Sequence, residues 1–510
     1  MAFDTRTNGR SPARADDSIL IVGTGFAGLG MGIALKKAGI ESFTILERAD
    51  AVGGTWRDNH YPGCACDVQS HLYSFSFEPN PDWTRMFARQ PEIRDYLEHC
   101  TDKYGLRPHI RFGADIVEAR YDESRQLWHV ATRDGRRFSA RILVSGMGGL
   151  SAPMTPALPG IETFAGKSFH SAEWDHGYDL RGKRVAVVGT GASAIQFVPQ
   201  IQQQVAQLDL YQRTPPWIMS KPDRAIGTRE RSLYRRVPAL QTAYRNALYW
   251  ALESRVLGFV ISPRIMSLLE HQARAHLRRQ VPDPALRARL TPDFTFGCKR
   301  VLISDDYYPA LTQANVDVIT DGIAEVREHG IVTRDGRERP VDCIIFGTGF
   351  KAQDPIPRGT IFGRDGVDLT DHWRDGPEAY KGTTVSGFPN LFMIVGPNTG
   401  LGHSSMVYMI ESQIAYVLDA IRTMRARGWG AVDVDPQRLA RYNRGLQAAL
   451  GKAIWTAGGC KSWYLNDNGR NTTLWPGFTF AFRRQTRRFD ATHYRTEAAA
   501  TATPAQPASA

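Results

Sequence analysis

The chain has 510 residues, 42% hydrophobic and 23% charged, with 47 glycines and 11 tryptophans, a mixture that excludes a disordered or fibrous protein and gives length for roughly three domains. Its formal net charge of +11 is spread along the sequence rather than gathered in one run, which suits a basic cleft for phosphorylated small molecules and not a nucleic-acid surface. Six cysteines, Cys64, Cys66, Cys100, Cys298, Cys343 and Cys460, show neither the paired spacing of a zinc site nor a disulfide framework, and are expected as the reduced thiols of a cytoplasmic protein.

Residues 1–16 are polar, with several arginines and no apolar core, so they are not a secretory signal. Residues 18–22 form a strand that ends on Gly23-Thr24-Gly25-Phe26-Ala27-Gly28 and opens a helix running to Lys37. Glycines there permit a tight turn and let backbone N–H groups and the helix N-terminus approach a pyrophosphate. A second strand, residues 43–46, delivers Glu47, placed to accept hydrogen bonds from an adenosine ribose. Residues 184–188 repeat the grammar, ending on Gly189-Thr190-Gly191-Ala192-Ser193-Ala194, and Arg213 takes the slot that Glu47 holds after the first turn. A carboxylate repels a ribose 2′-phosphate, whereas a guanidinium binds it bidentately. The first turn therefore suits FAD and the second NADPH, with electrons passing from nicotinamide to flavin inside one chain.

From about Lys221 to Pro292 the strand signal gives way to Arg/Leu/Ala-rich helical periodicity, read as a helical insertion. Its most apolar part, residues 247–263, is interrupted by Glu253, Ser254 and Arg255 and falls short of a membrane span. Residues 342–350, with Gly347-Thr348-Gly349, form a further strand and turn that return the chain to the first nucleotide domain. The tail from about residue 497 is rich in Ala, Thr and Pro and reads as flexible. The expected fold is α/β: two Rossmann-like dinucleotide-binding domains, with FAD on 17–148 and 386–496, NADP on 149–221 and 293–385, and a helical insertion over 222–292.

Between the two turns, Phe164-Ala165-Gly166-Lys167-Ser168-Phe169-His170-Ser171-Ala172-Glu173-Trp174-Asp175 fills every fixed position of the pattern FxGxxxHxxxW(P/D). Gly53-Gly54-Thr55-Trp56, Tyr61-Pro62-Gly63 and Asp67 fill (A/G)GxW followed by (F/Y)P(G/M)xxxD. On these motifs the chain resembles the type I Baeyer–Villiger monooxygenases of the flavin-containing monooxygenase superfamily, from about residue 18 to about 480. The resemblance implies an enzyme that uses FAD, NADPH and O2 to turn a ketone into an ester or lactone through a flavin peroxide. By the same resemblance Arg300 contacts the reacting flavin and the nicotinamide, Asp67 holds Arg300, and Lys299 joins Arg213 on the 2′-phosphate. Phe26, Gly54, Thr55, Trp56, Tyr73 and Val117 are assigned to the flavin cofactor, and Thr190, Ala192, Ser193, Gln196 and Thr214 to the coenzyme. Trp463 resembles the late tryptophan that packs on bound cofactor, although Trp475 stands close by. His170 is read as a hydrogen-bonding switch in the linker rather than as a base.

One stretch, residues 396–403 (GPNTGLGH), departs from the cyclic-ketone enzymes. It keeps oxygenation of nitrogen or sulfur centres as the alternative. A disulfide reductase is excluded by the spacing of Cys64-Ala65-Cys66. The substrate-facing residues are expected from the insertion and from residues 388–405, in a monomer or homodimer with no nucleic-acid partner and no metal.

Overall fold

The computed structural model describes residues 18–353 and 356–500. Two five-stranded parallel sheets organise it. The first takes its strands in the order Leu391–Met393, Ile142–Ser145, Ile19–Val22, Phe43–Leu46, Ile110–Arg111. The second runs Val316–Ile319, Gln207–Tyr211, Arg184–Val188, Cys343–Phe346, Lys167–His170. Central strands such as Ile142–Ser145 and Cys343–Phe346 are buried along their whole length, as continuous apolar runs covered on both faces must be.

In each sheet the central glycine-ended strand feeds a helix, Phe26–Lys37 in the first and Ala194–Gln202 in the second. The fold class is as expected. Two details differ from the sequence reading. The strand Ile361–Phe362 already pairs with Ile116–Asp122 beside the first sheet, so the chain has returned well before the boundary expected at residue 386. The strand Tyr494–Ala498 pairs with Trp429–Val434, so the tail does not begin at 497; residues 1–17 and 501–510 lie outside the described residues.

The insertion is helical as expected, with Thr228–Arg236, Pro238–Glu253, Pro263–Gln280 and Pro284–Arg289. Its entry and exit are tied together: Ile218–Met219 and Leu302–Ile303 form a two-stranded parallel ribbon. That ribbon fixes where Lys299 and Arg300 re-enter the body of the molecule.

The expectation that every cysteine is a reduced thiol is overturned at two positions. Cys298 and Cys460 are joined in a disulfide with a Cα–Cα distance of 6.2 Å, within the ordinary reach of such a bond. They lie 162 residues apart, a separation that no local spacing pattern reveals. Cys64, Cys66, Cys100 and Cys343 are free and buried. No helix among the described residues is long and apolar enough to cross a membrane, and no cluster of metal-ligating side chains is present among them.

Candidate active site

The first turn is built by close backbone approach. Gly23 has φ +93°, and a Cβ on Gly28 would collide with the Gly23 carbonyl, so strand and helix meet only through glycines. Gly25 sits at the start of the helix with no side-chain cap, and the first turn carries no acid. The orphan N–H groups are left for an anion. Gly54, with φ +52°, closes the other side; a Cβ there would lie 2.9 Å from the Gly25 Cα. The cradle is one that a side chain would fill, and it fits a pyrophosphate.

Phe26, Trp56 and Tyr73 wall this cradle. The Trp56 indole donates to the Tyr73 hydroxyl at 3.0 Å, and Phe26 meets Tyr73 edge to face with centroids 5.2 Å apart. Thr55 opens the short helix Thr55–Asp58 next to Gly54. Val117 lies further out, half exposed on the strand Ile116–Asp122.

The Glu47 carboxylate accepts from the Thr24 N–H at 2.9 Å, the Thr24 hydroxyl at 2.6 Å and the Ala49 N–H at 3.0 Å, and forms an ion pair with Arg57 at 2.9 Å. It therefore braces the glycine turn from behind.

The second turn repeats the geometry. Gly189 has φ +108°, and a Cβ there would come within 2.5 Å of the Gly347 carbonyl oxygen. The Thr190 hydroxyl donates to the Thr214 carbonyl at 3.0 Å, Gly191 and Ala192 are exposed, and Ser193 starts the helix without a side-chain cap. Arg213 is exposed beside Lys299, whose ammonium is pushed below its usual range by burial and by the nearby Arg213 charge. Two adjacent cations at the mouth of an uncapped helix fit a phosphate dianion.

Gln196 reaches from the second turn's helix to the first domain. Its carbonyl accepts from the Tyr61 hydroxyl at 3.0 Å and the Ala65 N–H at 3.2 Å, and its amide donates to the Ala65 carbonyl at 3.0 Å. It fastens the second nucleotide domain to the loop that leads to Asp67.

Between the two turns, the Arg300 Nε and Nη2 donate to one oxygen of Asp67 at 3.1 and 2.5 Å. Arg300 lies next to the exit strand of the insertion, and Asp67 on a loop of the FAD region, so both nucleotide domains contribute. Protein surrounds the pair closely, yet about a third of each side chain stays exposed. Asp67 raises the Arg300 pKa still further, so the guanidinium is permanently charged. Burial pushes the Asp67 pKa up, but the Arg300 charge and hydrogen bonds outweigh it and hold the carboxylate below its usual range.

Tyr464 was not singled out from the sequence. Its buried hydroxyl lacks a hydrogen bond, and burial pushes the phenol up to about 12 against the pull of Arg300. The signal available was its place directly after Trp463. Trp463 is 45% exposed, its ring is 4.6 Å from that of Tyr464, and its carbonyl accepts from Gln353 at 2.7 Å. Trp475 is buried in the core against Phe482, whereas Trp463 is exposed.

His170 lies on the edge strand of the second sheet rather than in a free linker. Its Nδ1 accepts from the Ala172 N–H at 3.1 Å, and its ring meets Phe350 edge to face. It is 1% exposed and packs against the returning turn. The Cys64 thiol is pushed up to about 12 by burial, and that of Cys66 is also raised; neither is a reductase nucleophile.

Two cradles with an arginine–carboxylate pair between them define a two-dinucleotide flavoprotein. Residues 16–361 match the flavin-binding monooxygenase-like family. The chain is 60% identical over 477 residues to the Baeyer-Villiger monooxygenase of Pseudomonas aeruginosa, covering 93% of this chain and 90% of that one. It is 49% identical over 479 residues to the Baeyer-Villiger monooxygenase of Streptomyces coelicolor, covering 94% and 92%. Among solved structures, oxidized steroid monooxygenase bound to NADP is similar with a TM-score of 0.84 at 30% identity, over 94% of this chain and 99% of that one. OTEMO in complex with FAD and NADP gives 0.83 at 27% identity, over 96% and 100%. The chain belongs to the flavin-binding monooxygenase-like family and, within it, to the Baeyer–Villiger monooxygenases: NADPH-dependent enzymes that carry FAD.

Proposed function

We infer that this enzyme inserts one oxygen atom of O2 beside a ketone carbonyl, and that the Arg300–Asp67 pair is where the chain controls that step. The observation that carries the reading is the pair itself, a fixed cation between the two nucleotide cradles. Bound FAD, once reduced by NADPH, supplies the activated dioxygen. The chain's part is electrostatic and positional. Nε and Nη2 of Arg300 are held by Asp67. Its N–H groups are donors for the negative charge that develops on the ketone oxygen, worth most where water is excluded. Asp67 fixes the plane of the guanidinium and balances its charge when no anion is present. Arg213 and Lys299 hold the coenzyme by its 2′-phosphate, with Trp463 packing on it and keeping water from the cleft.

The same reading places the protein in the cytoplasm as a monomer or homodimer, meeting its ketone and dioxygen without a nucleic-acid partner. Product mass after incubation with NADPH, air and a panel of linear, cyclic and aryl ketones tests it. An ester or lactone one oxygen heavier than the ketone is the expected result. Conversion of an added thioether or amine with every ketone untouched would overturn it.

A further inference from the structure

The disulfide flanks the candidate site in sequence on both segments. Cys298 directly precedes Lys299 and Arg300, and Cys460 stands shortly before Trp463 and Tyr464. The bond thus joins the segment that presents the two site cations to the loop that presents the two aromatic rings beside them.

The packing around the bond is built for close approach. A Cβ on Gly458 would come within 2.6 Å of the Cys298 Cβ, so only glycine lets the two segments meet. The Thr295 hydroxyl donates to the Gly458 carbonyl at 3.2 Å. Gly459 has φ +72° with nothing near its missing side chain, which makes it a hinge once the bond is opened. Cys298 is fully buried, whereas Cys460 is partly exposed, so one sulfur is reachable from solvent and its partner is held in place. A lysine follows each, Lys299 and Lys461, and positive charge favours the reactive thiolate.

We propose that Cys298 and Cys460 form a reversible redox modification site, oxidised by hydrogen peroxide, whose disulfide clamps the Trp463–Tyr464 loop over the coenzyme cleft and whose reduction releases it. The inference rests on the proposed function for the oxidant's source and for the loop's place at the coenzyme. NADPH oxidation that is not coupled to a ketone passes two electrons to dioxygen and yields hydrogen peroxide beside this pair. The Cys460 thiolate attacks one peroxide oxygen, the O–O bond breaks, and hydroxide leaves to be protonated to water. The Cys298 thiolate then displaces the oxygen of the resulting sulfenic acid as a second water. Two thiols and one peroxide become one disulfide and two waters. A dithiol reductant reverses the step by exchange, its own sulfurs becoming the disulfide. Such pairs cycle in a compartment buffered by thiols, where a permanent structural bond is rare. The consequence is self-correcting: leakage of peroxide closes the loop that shields the cleft.

The test uses the full-length holoenzyme in two states, treated with hydrogen peroxide or with dithiothreitol. Thiol titration after denaturation is expected to find two fewer thiols in the oxidised state, with a peptide mass linking Cys298 to Cys460. Trypsin, which cuts after Lys461, is expected to cleave the reduced enzyme and spare the oxidised one, while Cys460→Ser is cleaved in both. NADP+ titrated by calorimetry is expected to bind roughly tenfold more weakly after reduction, the scale of ordering one or two side chains, with Cys460→Ser fixed at the weaker value. Six thiols persisting after peroxide would overturn the site. A disulfide that forms yet changes neither cleavage nor NADP+ affinity would overturn the clamp. Failure of NADP+ to bind in either state would instead count against the functional reading, since the thiol count and cleavage do not depend on it.

Discussion

Arg300 donates two hydrogen bonds to a single oxygen of Asp67, a residue 233 positions earlier in the chain. One segment returns from the helical insertion and the other leads out of the first glycine cradle, so the pair exists only when both nucleotide domains are in place.

Removing the guanidinium separates electron transfer from oxygenation. Arg300→Ala is expected to fold and retain FAD, while ester formation falls by at least about 10²-fold, the cost of losing a preorganised donor. Residual NADPH oxidation then appears as hydrogen peroxide. Arg300→Lys keeps the charge without the planar fork and recovers little. Ester yield, peroxide yield and flavin content decide the matter, and near wild-type conversion by Arg300→Ala would place the centre elsewhere.

Coenzyme choice follows from Arg213 and Lys299. Arg213→Ala is expected to weaken NADPH binding by about 2 kcal/mol, roughly thirtyfold, and to leave NADH almost unchanged. The ratio of KM values for the two coenzymes measures this. Equal losses for both would make Arg213 a structural residue.

Gln196 acts between domains. Gln196→Leu removes three hydrogen bonds to Tyr61 and Ala65 and leaves partners without a bond. A loss of about 2–3 kcal/mol in unfolding free energy is expected, with weaker coupling of NADPH oxidation to ester formation because the Asp67 loop is no longer held. A denaturation midpoint equal to wild type would contradict the latch.

His71 gives the molecule an acid limit. It is 2% exposed, accepts a hydrogen bond from Gln241 of the insertion at 3.1 Å, and is pushed down to about 4 by burial, with the Arg245 and Arg224 charges adding and Glu230 opposing. The folded state keeps the ring neutral, whereas the unfolded chain protonates it near its ordinary value. Stability from this group is full above about pH 6.5 and falls as pH drops toward 4, by up to about 3 kcal/mol. Below both values it changes no further. Unfolding midpoints of wild type and His71→Gln across this range should converge on acidification; curves that stay parallel would remove His71 as the cause.

The sequence by itself determined the two glycine turns, the strands before them, the opposite charges of Glu47 and Arg213, and the helical insertion. These are local: a positive φ needs glycine, and a strand or helix period is written in neighbouring residues. It also marked the positions of Arg300 and Asp67 through motifs. Only the tertiary structure decided what those residues touch. Glu47 carries the expected charge in the expected slot, and its carboxylate also holds Thr24, Ala49 and Arg57. Gln196 follows the second turn as a coenzyme ligand would, yet its amide faces the other domain. Cys298 meets Cys460 across 162 residues with no periodic signature. The reason is physical: hydrogen-bond saturation and disulfide reach depend on how distant segments pack to within a few ångströms, and that packing is set by the whole core rather than by the residues beside each group.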